Sequence, residues 1–362
     1  MLWVAGGAGE GFSTPSVAGG QLYVMGDREG QEYVIALDVE AGGRQAWATA
    51  LGPVRHSGAG YPGPRSTPTY DSGRVYALGL NGDLAALDAE TGTLIWKRDL
   101  VTEFGGEIPS WGYSESVLVD GEKLVCTPGG SQATLLALHK QDGSLIWQVP
   151  LGDKAGYASI VAAEIAGRRQ YVQFTMGGVI GVDAETGALL WRYTNTVSGT
   201  AHIATPIVSG DAVFSSSGYG RGCGLARISR DGDAWTAEEV YFNTVLANRT
   251  GGCVLVEGRV YGCSQAGVLV CLEFATGRVR WQQRLGVCSL LAVDGMLIAR
   301  SEEDRVLLLR CNPERFELLG EFRQPQRSGR TNYPHPVVAD GRLYLRDQDL
   351  VLCYDLRATD RS

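Results

Sequence analysis

One phrase recurs along the chain. LDAETGTLIW at Leu87–Trp96, LHKQDGSLIW at Leu138–Trp147, VDAETGALLW at Val182–Trp191 and LEFATGRVRW at Leu272–Trp281 are variants of a single turn-and-strand unit. Around them lie apolar, strand-like runs punctuated by glycine, and the spacing is about 45 residues, the period of a four-stranded propeller blade. A unit of that size cannot bury its apolar faces alone, so the repeat demands that copies stack side by side.

The count and the closure are both readable. With tryptophan as a ruler, the copies fall at Trp3, Trp47, Trp96, Trp147, Trp191, Trp235 and Trp281, and Leu319 stands in the next slot. The last repeat, GRLYLRDQDLVLCYDL (Gly341 to Leu356), reaches no tryptophan of its own, whereas the chain opens on Met1-Leu2-Trp3-Val4. The expectation is an all-β, eight-bladed β-propeller of four-stranded antiparallel blades, closed by the N-terminal strand completing the last blade. Residues 1–362 are read as a single domain and a monomer. Closure of this kind leaves no long sheet edge exposed where the ring begins and ends.

Within a blade, the second repeat reads STPTYDS, RVYALGL, DLAALDA and TLIWKRDL as strands a to d, with Asn81-Gly82 predicted to form a type I′ hairpin between b and c. In the D-x-x-T-G turn, Asp88 or Asp183 accepts backbone N–H groups, Thr91 or Thr186 adds a further bond, and Gly92 or Gly187 supplies the left-handed residue. The tryptophan that follows is read as cement between blades rather than a binding residue.

Composition removes several function classes. The net charge of −8 argues against a nucleic-acid partner, and no apolar run is long enough to span a bilayer. Glycine, at 50 residues, serves the turns. The eight cysteines show no C-x-x-C or zinc spacing, and several sit inside apolar strands as small buried hydrophobes. Trp3 already belongs to a blade, so no signal peptide precedes the fold; the expected location is extracytoplasmic (periplasmic) if an export signal was trimmed, with the cytoplasm as the alternative.

The D-x-x-T-G-x-x-x-W signature, preceded by V-x-x-G-x-L-Y-V strands, resembles the pyrroloquinoline-quinone (PQQ)-type propeller repeat of quinoprotein dehydrogenases and of the outer-membrane assembly lipoprotein family BamB. Segments such as TPSVAGGQLYVMGDREGQEYVIALD, GYPGPRSTPT, WGYSESVLVDGEKLVCTPGG and YPHPVVADGRLYLRDQD also resemble bacterial PQQ-like propellers without a settled activity. The likeness spans essentially the whole chain and speaks to fold, because the repeat residues hold blades together.

Function is expected where the repeat breaks down, in the d-to-a loops that converge on the mouth of the channel. These loops, with the b–c insert SSGYGRGCG, supply the candidate funnel residues His56, Tyr61, Arg65, Trp111, Tyr113, Glu115, Tyr157, His202, Tyr219, Arg221, Asn248, Arg249, Asn332, Tyr333 and His335. The rings offer stacking faces, and Arg65, Arg221 and Arg249 offer grips for a carboxylate. Three histidines in a ring are the one arrangement suggestive of a transition metal, yet no acidic partner or regular spacing accompanies them, and no metal is expected. Glu115, beside Trp111 and Tyr113, is the acid/base candidate; the competing reading makes it an acceptor for backbone N–H groups. No G-x-S-x-G elbow supports serine catalysis.

Two functions follow. The first is a non-enzymatic, BamB-like scaffold that engages a protein, a small polar ligand or a glycan at the funnel, without a cofactor. The second, implied by the same resemblance, is a quinoprotein alcohol or sugar dehydrogenase, with PQQ over the channel, Ca²⁺ held by carboxylate and amide oxygens, and an Asp as base. A related sugar-active enzyme built on the His/Tyr/Arg cluster is a third. Against the second, the chain lacks a vicinal Cys-Cys pair, and the funnel loops carry few Asp or Asn groups suited to Ca²⁺.

Overall fold

The computed structural model describes residues 1–55 and 58–357. Its strands form eight four-stranded antiparallel sheets. In seven of them the strand order is the chain order; the second, for example, runs Thr69–Asp71, Arg74–Leu78, Asp83–Asp88 and Leu94–Asp99. The eighth is completed as expected by the N-terminus, with Trp3–Ala5 beside Leu350–Asp355 in the register Trp3↔Cys353, Val4↔Leu352 and Ala5↔Val351.

Eight apolar clusters, one between each pair of neighbouring blades, form the core. Tyr23, Met25, Val34, Ala36 and Trp47 of the first blade meet Val75, Ala77, Ala85 and Leu87 of the second, and Leu22, Val24, Ile35 and Leu37 meet Tyr344, Val351 and Cys353 of the last. Central strands are therefore buried on both faces, which is why they read as continuous apolar runs rather than as alternation.

The recurrent phrase turns out to be an interlock. Asp88 Oδ1 accepts the N–H groups of Glu90 and Thr91 and the Thr91 hydroxyl, and Asp183 repeats the pattern with Glu185 and Thr186. The turn so folded then receives the tryptophan of the preceding blade. Trp47 Nε1 donates to Ala89 O at 3.0 Å, Trp96 to Lys140 O at 3.0 Å and Trp147 to Ala184 O at 3.3 Å. Trp3 does the same to Val39 O of the first blade at 3.2 Å, so the closing strand uses the same lock as the others.

Glycine in this turn answers two demands. Gly92 has φ +73°, and a Cβ there would lie 2.6 Å from the Trp47 ring. Gly92→Ala should cost about 2–3 kcal/mol through left-handed strain and overpacking, read as a lower denaturant midpoint at unchanged slope.

Three sequence expectations need correction. Trp235 does not fill the fifth slot. There a long hairpin (Gly222–Asp231, Ala234–Asn243) replaces the D-x-x-T-G turn, Trp235 lies under Arg230, and Tyr241 takes the position, its hydroxyl donating to Phe274 O at 3.0 Å. In the seventh blade the slot is Gly320, opposite Leu308, not Leu319. In each blade whose fourth strand is supplied in chain order, that strand carries a β-bulge at the residue just before the slot residue, which marks the true register. Third, Asn81-Gly82 is not a type I′ pair: only Gly82 takes a positive φ, and Gly79 to Gly82 form one loop in which Gly82 N–H donates to Gly79 O and Gly79 N–H to Asp83 O.

All eight cysteines are free, and six are buried. Among the described residues no helix is long and apolar enough to cross a membrane.

Candidate functional site

The d-to-a loops do converge. At the mouth of the channel they enclose a cavity of about 440 Å³ whose walls include Tyr61, Arg65, Trp111, Tyr157, Tyr219, Arg249, Tyr333 and His335, all singled out from sequence. Phe12, Tyr61 and Tyr333 form a cluster of tilted rings with centroids 5.3–6.4 Å apart, and Trp111 meets Tyr157 edge-on at 5.7 Å. These are favourable aromatic geometries and give the cavity stiff walls.

Local chain chemistry places these rings. The loop carrying Tyr61 and Arg65 lies on the N-terminal segment, where Phe12 N–H donates to Pro64 O at 2.8 Å. Gly63 makes that approach possible: at φ +93° its Cβ would sit 2.4 Å from Glu10 O. Arg65 packs over the Phe12 ring at 5.4 Å and donates to the carbonyls of Gly63 and Tyr61. Burial pulls its pKa down to about 10, so it remains charged near neutrality. Before Trp111, a one-turn helix, Leu100–Phe104, capped by the Asp99 carboxylate and stopped by Gly105 at φ +67°, redirects the chain.

Below the rings runs a belt that sequence reading missed. The hydroxyls of Thr14, Ser116, Ser159 and Thr205 each accept the N–H of a residue on the neighbouring blade, from His335, Thr67, Ser116 and Ser159 respectively, at 2.9–3.1 Å. These residues precede the innermost strand of their blades and line the cavity. The signal was present in the recurring words STP, STP and ATP at 13–15, 66–68 and 204–206. The belt gives way on one side to Cys253, Val254 and Leu290, so the cavity has a hydroxyl-rich wall and an apolar one.

The remaining candidates lie away from the cavity. Tyr113 is 1% exposed and donates to Pro128 O. Glu115 is buried in a polar knot, accepting the N–H and hydroxyl of Thr127 and the Gln173 amide. Burial lifts its pKa to about 7, against those hydrogen bonds. Its carboxyl is thus tied to three donors and does not line the cavity. His202 stacks on Phe174 at 4.2 Å; its Nε2 accepts the Ser198 N–H and its Nδ1 lies 2.7 Å from Thr175 O, so both ring nitrogens are engaged with backbone. Asn248 Nδ2 donates to the carbonyls of Thr250, Gly252 and Cys263. Arg221 lies over Phe242 and donates to Asn195 O. Asn332 is buried, with no hydrogen-bond partner on its Oδ1 among the described residues. His56 lies outside the described residues.

Comparison with known proteins places the chain. The family model described as "Outer membrane protein assembly factor BamB" matches residues 30–250 and 244–311. The chain belongs to this family. A member from Shewanella oneidensis is 23% identical over 269 residues, covering 69% of this chain and 64% of the relative, just under two thirds of its length. The BamB of Yersinia pestis is 23% identical over 74% of this chain and 68% of its own. The fold matches the solved BamB from Moraxella catarrhalis with a TM-score of 0.69 at 16% identity, over 97% and 96% of the two chains. A quinohemoprotein alcohol dehydrogenase from Pseudomonas putida HK5 matches with the same TM-score and identity, over all of this chain and 76% of its own, so backbone likeness alone does not separate the two functions.

The lining does. Among the residues that form the cavity wall there is no Asp and no Glu. Ca²⁺ prefers a shell rich in carboxylate oxygens, and abstraction of an alcohol proton needs a base. The cavity wall holds no carboxylate for Ca²⁺ and no Asp to act as the base, so it does not fit the Ca²⁺ and Asp pair expected of a quinoprotein dehydrogenase; its one imidazole is that of His335.

Proposed function

We propose that this BamB-family propeller is a non-enzymatic scaffold that works outside the cytoplasm in the assembly of outer-membrane proteins, as its relatives' descriptions indicate for them, and that it engages a protein partner through the funnel face. The observation that carries this reading is the wall of the cavity: four tyrosines, a tryptophan and two arginines, with no carboxylate among them. Such a set is suited to recognition, because aromatic rings and guanidinium groups give contact area and orientation. The funnel residues Tyr61, Arg65, Trp111, Tyr157, Tyr219, Arg249, Tyr333 and His335 are the proposed contacts. Glu115, His202, Asn248 and Tyr113 are proposed to hold the loops that present them. No cofactor is required by this reading, and the ring acts as a monomer.

Titration with PQQ and Ca²⁺ should show no saturable quinone absorbance on the protein and no dye-linked oxidation of alcohols or sugars; binding with turnover would overturn the scaffold reading. Photo-crosslinking residues placed at Tyr61 and Tyr219 in cells should capture an outer-membrane assembly component, and one placed at Glu185, exposed on the turn at the opposite end of the strands, should not.

A further inference from the structure

We propose that the funnel is a receptor for carboxylate groups, presented by an acidic stretch of the protein partner. This rests on the reading of the funnel as the partner face and names what that face recognises.

The molecule and its cavity differ in charge. The chain carries 40 acidic and 32 basic residues, yet the cavity wall holds two arginines and no acid. Arg65 spends its fork on loop carbonyls and an aromatic face. Arg249 has neither a hydrogen bond nor an ion pair among the described residues, unlike the many surface arginines that pair with Asp or Glu. The acid whose charge reaches Arg249 is Glu302, and burial holds that carboxyl above its usual range, towards the neutral form. Arg249 is thus left without a directly bonded carboxylate among the described residues, on an otherwise acidic protein.

Hydrogen-bond inventory points the same way. A hydroxyl has one proton to give and two lone pairs to accept with. Thr14, Ser116, Ser159 and Thr205 use a lone pair on a backbone N–H, and none donates its proton to another described residue. Together with the phenols of Tyr61, Tyr157, Tyr219 and Tyr333, the cavity is rich in donors and poor in acceptors. Its complement is an acceptor-rich anion of modest size. A carboxylate is planar, matches the guanidinium fork and takes several donors at once. The aromatic walls suit the short aliphatic stem of Asp or Glu and the backbone that carries it, and 440 Å³ is within the range of pockets that hold a ligand of a few residues.

The test uses the full chain and four probes at low salt: a blocked peptide alternating Asp and Glu with Gly, its Asn/Gln isostere, free succinate and inorganic phosphate, with binding read by calorimetry and by tryptophan fluorescence. The acidic peptide should bind saturably and about ten-fold or more tighter than the isostere, weaken with added salt, and lose about ten-fold in affinity in Arg249→Gln, whose melting temperature should be unchanged. Arg65→Lys, which keeps the charge and loses the fork, should weaken it less. Equal binding of the acidic peptide and its isostere, or no binding of either, would overturn the inference. If succinate matches the peptide, the peptide source is overturned in favour of a free small acid; if inorganic phosphate displaces the peptide at lower concentration than succinate does, carboxylate recognition itself is overturned. Failure here with funnel-face crosslinks retained would leave the partner reading standing, so the two fail separately.

Discussion

Arg346→Met should lower the stability of the ring by about 3–5 kcal/mol, the largest effect expected of any single substitution away from the interlocking tryptophans. Arg346 lies on the second strand of the last blade and has no exposed surface. Its guanidinium faces no carboxylate within ion-pair distance among the described residues. Instead it donates to five carbonyls: Gln348 of its own blade at 3.0 Å, Ser13 and Met25 at 2.9 and 2.6 Å, and Ala8 and Gly9 at 3.3 and 3.1 Å. Four of these belong to the N-terminal segment and first blade, so one side chain binds the last blade to the first. Methionine fills much of the volume and leaves those carbonyls without a donor in a site closed to water. The backbone of Arg346 is itself held by Arg300, whose Nη1 donates to Arg346 O at 2.6 Å. Urea unfolding checks this: Arg346→Lys, with three donors and no fork, should recover only part of the loss, and a midpoint no lower than that of an exposed-surface substitution would refute the clasp.

A second large effect is expected from pH. Glu32 is buried at the interface of the first two blades; its Oε1 accepts the Leu80 N–H at 2.7 Å and its Oε2 has no partner among the described residues. Burial, with the charges of Asp27 and Asp83 adding to it, raises its pKa from 4.5 to about 8, against the pull of the Leu80 bond. The folded state therefore holds a proton there that the unfolded chain gives up near 4.5. That contribution to stability is complete below pH 4.5 and is lost as pH rises to about 8, so ring stability should decline across this window by an amount on the order of a few kcal/mol. Glu115, raised to about 7 by burial, adds a decline of the same sign ending one unit lower. In Glu32→Gln the decline should shrink to the part due to Glu115 and to Asp27, which burial raises to about 6, offset by His202 and His335, which burial lowers, and the variant should be more stable than the parent at pH 8. Denaturant midpoints measured from pH 5 to 8.5 decide it; a parent protein that gains stability over that range would show that Glu32 is ionised in the fold.

Why some features were legible and others were not follows from their range. The D-x-x-T-G turn is local: Asp88, Thr91 and Gly92 lie within five residues and make their bonds to one another, so the phrase carries its own geometry. Where a blade kept the phrase, the ruler was right. Where it abandoned the phrase, as in the fifth blade, the nearest tryptophan misled, because Tyr241 performs the same packing from a different place in a longer hairpin. At the site, loop membership was readable but direction was not. Trp111 and Tyr113 are two residues apart; one ring faces the cavity and the other is sealed beneath it on Pro128. Likewise His202 and His335 occupy matching loops, yet His202 is drawn onto Phe174 and His335 reaches the cavity wall.

By itself the sequence determined the repeat, its number, the interlocking turn and the closing of the ring by Trp3, because each is written in residues that act on neighbours one blade away at a constant spacing. Tertiary structure alone decided which loop side chains share a cavity, that no acid joins them, and that the hydroxyls of Thr14, Ser116, Ser159 and Thr205 stitch its floor. These depend on how eight loops from distant parts of the chain turn relative to a common axis. No local spacing encodes that direction, since it is set by packing between blades.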